Sequence, residues 1–423
     1  MDVRLRGFHE RTPVNKALKI LLDCVRPGGT ERIRFGESLG RVLAKAIVAE
    51  KDSPPFDRAA MDGYAVRGEN TFGATQTNPI YFKVVGEVKT GVKPNLKVGD
   101  FEAVKIMTGG AMPQGADAVV MFEYTNELEG EIEVLKAVPP GKNVSFKGED
   151  VKKGQVLLKK GEMLKPHDIG VLAAIGKTEI EVYRRPRVAI ISTGDELARP
   201  GEELGVGKVY DINTYALSSL VKMNGGTAEK MGIVRDDYSA LKAAVKQALK
   251  YDVIIISGAT SVGEKDVIPK IVSEMGEILV HGIAMRPGEP TGFGRIGEKI
   301  IFMLPGYPVA SIFGFETFVR PALQKMHGVE VKSPYPQVKG RLRRKIASEL
   351  GRRDFTRVKL EEEGERLFVE PIRTKGSGII SSLVRADGFV IVPENTEGLE
   401  KGEEVTVNLF SLPSLSGFWT TVD

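Results

Sequence analysis

Between residues 187 and 327 short apolar segments alternate with helical patterns, and this alternation limits the fold more than any other feature of the chain. The strand candidates are Val188–Ser192, Thr227–Val234, Val253–Ser257, Glu277–Ala284 and Ile300–Leu304. Between them, Tyr215–Met223 reads as a helix stopped by Gly225-Gly226. Ser239–Lys250 follows Asp236-Asp237, acids suited to a helix N-terminus, and gathers Leu241, Val245, Ala248 and Leu249 on one face. Pro308–Met326 opens on a proline, which fits the first turn of a helix. Strands and helices in this order predict an open, mostly parallel α/β sheet with helices on both faces.

The flanks differ in character. Val14–Val25 predicts an amphipathic helix ended by Pro27-Gly28-Gly29. From Ile80 to Val138, short runs such as Tyr81–Val85 and Ala118–Phe122 sit between Gly, Pro and Asn, as in a small all-β module. Pro166–Ile175 is a second helix candidate of the same kind as the first. Packing of these two helices on each other would make the β module an insertion in an elongated α/β region. After Pro334 the helical period disappears, and Val338–Leu342, Arg357–Leu360, Leu367–Val369, Gly388–Val392 and Val405–Leu409 predict a small β-barrel.

Composition excludes several function classes. Sixty Lys and Arg against fifty-six Asp and Glu, well interleaved, leave no basic stripe for a nucleic acid. No apolar run approaches the roughly 20 residues of a membrane span, and no apolar stretch follows the first residues as in a signal peptide. A cytoplasmic enzyme is therefore the expectation. Cys24 is the single cysteine, so no internal disulfide can form; its neighbours Leu18, Leu21, Leu22 and Val25 predict a buried thiol. The four histidines, at 9, 167, 281 and 327, lack metal-ligand spacing, which argues against zinc and triad chemistry.

Ligands of an open parallel sheet bind at the carboxyl ends of its strands. Three predicted strands end there in unusual loops: Ser192-Thr-Gly-Asp-Glu-Leu197, Ser257-Gly-Ala-Thr-Ser-Val-Gly-Glu-Lys-Asp266, and Pro305-Gly-Tyr-Pro308. Glycine with hydroxyls or a helix N-terminus is a way to hold phosphate without a P-loop. The carboxylates Asp195, Glu196, Glu264 and Asp266 would repel a bare phosphate and make sense if a hard divalent cation bridges the two.

These loops resemble the molybdopterin-binding domain shared by the MoeA and MogA families. Pro55-Phe-Asp-Arg-Ala-Ala-Met-Asp-Gly-Tyr-Ala65, Met107-Thr-Gly-Gly-Ala-Met-Pro-Gln-Gly-Ala-Asp-Ala-Val-Val120 and Gly148-Glu-Asp150 are similar to motifs of MoeA, a family that includes the E domain of gephyrin. The resemblance spans about residues 8 to 410. It implies an α/β multidomain chain: an elongated linker domain at 8–51 and 145–184, an inserted β module at 52–144, a MogA-like domain at 185–328, a C-terminal barrel at 329–411 and a tail at 412–423. It also implies an antiparallel homodimer whose cleft lies between the molybdopterin-binding domain of one subunit and the β module of the other. The implied reaction inserts molybdate, or tungstate, into adenylyl-molybdopterin and releases AMP, with Mg2+ or a similar ion; the molybdopterin adenylyltransferase is an implied partner. Compatible alternatives are a relative that binds or hydrolyses a pterin-nucleotide without inserting metal, and a scaffold of gephyrin type.

By the same resemblance Asp62, Thr108, Asp150 and Asp266 are catalytic, and Glu196 and Asp266 hold the metal ion. Ser192, Gly194, Asp195, Glu196, Ser257, Gly258, Ser261, Gly263, Pro305 and Gly306 bind the pterin nucleotide with Asp236 and Asp237, of which either one faces the cleft. Arg286, Pro290, Arg352 and Ser377 match positions near the oxyanion. Two departures stand out: Arg286-Pro-Gly-Glu-Pro290 has Glu289 where the family usually carries a lysine, and Tyr307 stands where asparagine is common. A carboxylate beside an oxyanion needs a partner, and Arg286, three residues away, is the expected one.

Overall fold

The computed structural model describes residues 11–258, 267–364, 366–372 and 376–411. Ser261, Gly263, Glu264, Asp266 and the tail from 412 lie outside them. The chain forms two compact units. One runs to Glu31, takes in Gly40–Val42 and resumes at Val182; the other is Arg32–Leu39 with Leu43–Glu181.

The second unit is built on a six-stranded sheet. Its strands are β1 (Gly63–Val66), β2 (Ile80–Val88), β3 (Glu102–Ile106), β4 (Ala118–Met121), β5 (Thr125–Glu127) and β6 (Glu131–Val134), in the order β4-β1-β3-β2-β6-β5. All pairings are antiparallel except β2 with β3. Tyr64, Phe82, Ile132 and Val134 fill one face, and Val104, Ile106 and Val119 the other. Burial on both faces explains why β1 reads as a short run without alternation. The helix Pro166–Ala174 also belongs here; proline opens it, and Asp168 accepts from the Lys165 N–H at 2.8 Å.

The first unit carries the α/β sheet, with β7 (Arg187–Thr193), β8 (Thr227–Val234), β9 (Val253–Ser257), β10 (Glu277–His281), β11 (Gly292–Ile296) and β12 (Lys299–Leu304) in the order β8-β7-β9-β12-β11-β10. The four strands β8, β7, β9 and β12 run parallel, and β11 and β10 add an antiparallel edge. β11 escapes the sequence pattern, because Gly292-Phe-Gly294 lacks the β-branched run of a strand. The predicted strand to Ala284 ends at His281. β9 is buried at every position, as a central parallel strand must be. Asp237 caps the helix Tyr238–Ala248 by accepting from Ala240 N at 2.8 Å. The helix expected over Pro308–Met326 is α-helical at Pro308–Gly314 and Arg320–Met326, with a π-helical turn at Phe315–Val319 between them.

The helix Val14–Cys24 belongs to this unit. Val14, Ala17 and Leu21 pack into the α/β core with Val188, Phe293 and Phe318. An amphipathic stripe says that a helix buries one face, but not against what. Each fully buried leucine such as Leu21 stabilises the fold by about 1.5–3 kcal/mol. Cys24 is only half-buried at the edge of this core, not enclosed.

The C-terminal strands β13 (Gln337–Leu342), β14 (Arg353–Glu363), β15 (Arg366–Pro371), β16 (Gly388–Val392) and β17 (Glu404–Leu409) close into a five-stranded barrel, since β14 pairs with both β15 and β16. The barrel is fastened to the α/β core by Phe313, whose ring lies 5.0 Å from Phe355 and 5.3 Å from Phe389. Met285–Arg286 adds a short strand parallel to β14, with Arg286 opposite Asp354. These two attachments hold the carboxyl ends of the sheet beside the mouth of the barrel.

Candidate active site

Two cavities adjoin at the carboxyl ends of the sheet. The first, of about 610 Å3, is walled by Ser192, Thr193, Glu196, Asn213, Ser257 and Gly306, among others. The second, of about 520 Å3, is walled by Arg286, Glu289, Arg352, Arg357 and Ser377, among others. Pro290, Pro305 and Tyr307 belong to both.

Main-chain crowding builds the first cavity. Gly258 follows β9 at φ +110°, and a Cβ there would lie 2.1 Å from Thr193 O, so only glycine lets the two strand ends approach. The Ser192 and Ser257 hydroxyls are nearly inaccessible and bonded inward. Ser192 Oγ reaches Thr214 Oγ1 at 2.7 Å and Asp211 Oδ1 at 3.1 Å, and Ser257 Oγ accepts from Asn213 Nδ2 at 2.8 Å. Asn213 Nδ2 also donates to Gly306 O at 2.7 Å and so ties two strand ends together. The sequence reading missed Asn213 and Asp211; an Asp-Ile-Asn ahead of a helix looks like a cap and nothing more. Thr193 Oγ1 donates to Asp236 while Asp237 is committed to its helix, so Asp236 is the acid joined to the cavity wall. Glu196 lies in that wall; Asp195 takes Lys208 Nζ on its backbone carbonyl.

In the second cavity, Glu289 does not pair with Arg286. Its partner is Arg11, at 2.9 Å, and Arg286 is left exposed on the cavity wall. The segment ahead of the first helix supplies that cation, since Thr12 bonds Gly282 and Ala284 through the backbone. Arg352 is buried and clamped by Asp354 and Glu349. Arg357, which the sequence placed in a strand and not in the site, is buried in the same wall. Burial pushes its pKa down and the Arg286 charge pushes it further.

The remaining candidates lie in the other unit. Asp62 Oδ1 accepts from both the N–H and the hydroxyl of Thr108, each at 2.7 Å, and these bonds hold its carboxyl below the usual aspartate range. The Asp62 and Asp150 loops are stitched through residues 57–60. Ala59 bonds Gly109 and Gly110, Ala60 N donates to Asn143 O at 2.9 Å, and Asp57 accepts from Lys147 N at 2.7 Å. Asp150 is exposed, and its N–H donates to Ser53 O at 3.2 Å.

Family models match almost the whole chain: "MoeA N-terminal region (domain I and II)" over residues 12–176, "Probable molybdopterin binding domain" over 189–325 and "MoeA C-terminal region (domain IV)" over 339–410. This chain belongs to the MoeA family. It is 36% identical over 401 residues to the molybdopterin molybdenumtransferase of Staphylococcus aureus (94% of this chain, 95% of that one). It is 34% identical to that of Bacillus subtilis over 413 residues (94% of each). A protein of Methanocaldococcus jannaschii named for molybdopterin biosynthesis is 46% identical over 384 residues (88% and 90%). Two crystal structures of the MoeA protein from Pyrococcus horikoshii match at TM-scores of 0.84 and 0.81, with 42% and 39% identity, over 95% of this chain and 100% of theirs. Membership in MoeA agrees with the closed barrel and with the MogA-like sheet. Among the described residues no helix is long and apolar enough to cross a membrane.

Proposed function

We propose that this MoeA protein is a molybdopterin molybdenumtransferase, which inserts molybdate or tungstate into adenylyl-molybdopterin and releases AMP. The observation that carries this reading is the pair of adjoining cavities. One has strand-end loops suited to a phosphate-linked ligand, the other is lined by arginines, and Pro290, Pro305 and Tyr307 are common to both. A ligand with a pyrophosphate in the first cavity would have its far end beside the second.

The residues fit a divalent cation in part. Among the described residues no three His, Cys, Asp or Glu converge on one point. Magnesium, however, is commonly held by one or two carboxylates and completed by phosphate oxygens and water. Glu196, with Asp266, would hold it, and the ion would neutralise charge exposed when the pyrophosphate breaks. The chain's own contribution is positional. Gly258 allows close backbone approach, Asp236 fixes Thr193, and the arginines of the second cavity draw in the oxyanion. A homodimer in which Asp62 and Asp150 of one subunit complete the cleft of the other is part of this proposal, as is delivery by the adenylyltransferase.

The deciding experiment incubates the protein with adenylyl-molybdopterin, magnesium and molybdate or tungstate, and quantifies AMP and metal-loaded pterin separately. Equal yields of both support the proposal. AMP without metal-loaded pterin would make the protein a hydrolase instead.

A further inference from the structure

An exposed aromatic ring stands where the two cavities meet. Tyr307 lines both of them, whereas Ser377 lines only the second and Gly378 only the first, so the boundary passes between those neighbours and along the ring. The turn that carries the ring is fixed at its backbone. Pro308 opens the following helix, Ser311 N donates to Tyr307 O at 2.9 Å, and Val309 N donates to Ser377 O at 3.1 Å. One edge of the ring lies along Gly378, where a Cβ would come 3.4 Å from the ring's Cδ1.

Tyr307 is nevertheless 66% exposed. Other exposed tyrosines at this end of the sheet are engaged: the Tyr210 hydroxyl donates to Glu202 O at 2.9 Å, and Lys230 Nζ sits 4.1 Å from the centre of the Tyr215 ring. Among the described residues Tyr307 has neither a hydrogen bond to its hydroxyl nor a cation or second ring against it. A fixed ring with an open face suits a flat heterocycle, which stacks on it through its π-face. Pro290 and Pro305, rigid and apolar, complete the shared wall.

The chemistry of the substrate selects the heterocycle. Adenylyl-molybdopterin has two, adenine and pterin, on opposite sides of its pyrophosphate. The dithiolene that receives the metal belongs to the pterin end. With the pyrophosphate in the first cavity and the oxyanion in the second, the pterin end has to lie at the boundary and the adenine away from it. Resting on that reading of the two cavities, we propose that Tyr307 is a specificity-determining residue that stacks on the pterin and presents its dithiolene to the second cavity. Asparagine, common in the family at this position, offers no such face.

Metal-free molybdopterin and AMP, titrated separately into the full chain and followed by calorimetry, test this. Tyr307→Ala and Tyr307→Asn should each weaken molybdopterin binding at least about tenfold, while Tyr307→Phe, which keeps the ring, should stay within about threefold of the wild type. AMP affinity should be unchanged in all three, which also shows that they fold. Unchanged molybdopterin affinity in Tyr307→Ala would overturn the proposal. So would a loss of AMP affinity alone, which would put adenine on the ring, or an equal loss of both ligands, which would make the ring a mere part of the wall. A tenfold loss in Tyr307→Phe would overturn stacking in favour of the hydroxyl. If the wild type does not bind molybdopterin, the transferase reading falls first and takes this inference with it.

Discussion

Gly258 and Glu196 illustrate two kinds of dependence on a single residue. At Gly258, a methyl group would press on Thr193 O, and φ +110° is a conformation alanine rarely adopts. Gly258→Ala should cost about 3 kcal/mol of stability, read as a fall in the urea midpoint; an unmoved midpoint would mean the strand ends can separate freely. Glu196→Gln keeps shape and removes charge, so if the residue holds magnesium, AMP release at limiting magnesium should fall at least about tenfold, or roughly 1.4 kcal/mol in barrier. Equal rates would remove Glu196 from the metal site. Motif spacing made the loop residues readable from sequence, because three Gly-bearing loops at strand ends are hard to explain as turns alone. Arg357 was hidden for the opposite reason. Inside a strand candidate an arginine looks like an outward-facing charge, and only its burial reveals otherwise. The partner of Glu289 was misread because proximity in sequence favoured Arg286, whereas Arg11 reaches it from some 280 positions away, a contact no local pattern encodes.

Among the helices, the segment from Pro308 to Met326 ends on His327, whose ring packs under Gly225. Burial, then the charges of Arg41 and Arg185, lower the His327 pKa to about 4. In the unfolded chain it would titrate near the ordinary histidine value of about 6.5. Between those two values the unfolded state binds the extra proton, so stability declines as pH falls from about 6.5 to 4, by up to about 3 kcal/mol in all. His327→Gln should flatten that part of the stability–pH curve; an identical slope in both proteins would show that other groups set it. Both β9 and β8 match their predicted bounds, β9 because burial at every position leaves a continuous apolar run. Element type was read poorly where glycine broke the pattern, as in β11. The interruption at Phe315–Val319 also leaves no mark, since a π turn needs no special residue and keeps the same apolar face toward the core.

For the whole molecule, fastening and assembly are the testable matters. Phe313 is the peg between core and barrel, touching both Phe355 and Phe389. Phe313→Ala should cost about 3–5 kcal/mol and, since the barrel supplies Arg352, Arg357 and Ser377, should weaken molybdate binding more than AMP binding. Comparable losses for both ligands would argue that the peg serves overall stability alone. For the proposed dimer, mixing inactive Asp62→Ala and Asp266→Ala proteins under exchange conditions should restore some activity, because heterodimers would carry one intact cleft; no recovery despite proven heterodimers would assign both acids to a single chain. The three residues common to the two cavities have a consequence of their own. If either ligand shifts Pro290, Pro305 or Tyr307, it alters the other's wall, and whatever factor AMP imposes on the affinity for molybdate, molybdate must impose on the affinity for AMP. Order of arrival and order of departure are then governed by one coupling constant, measurable from either side.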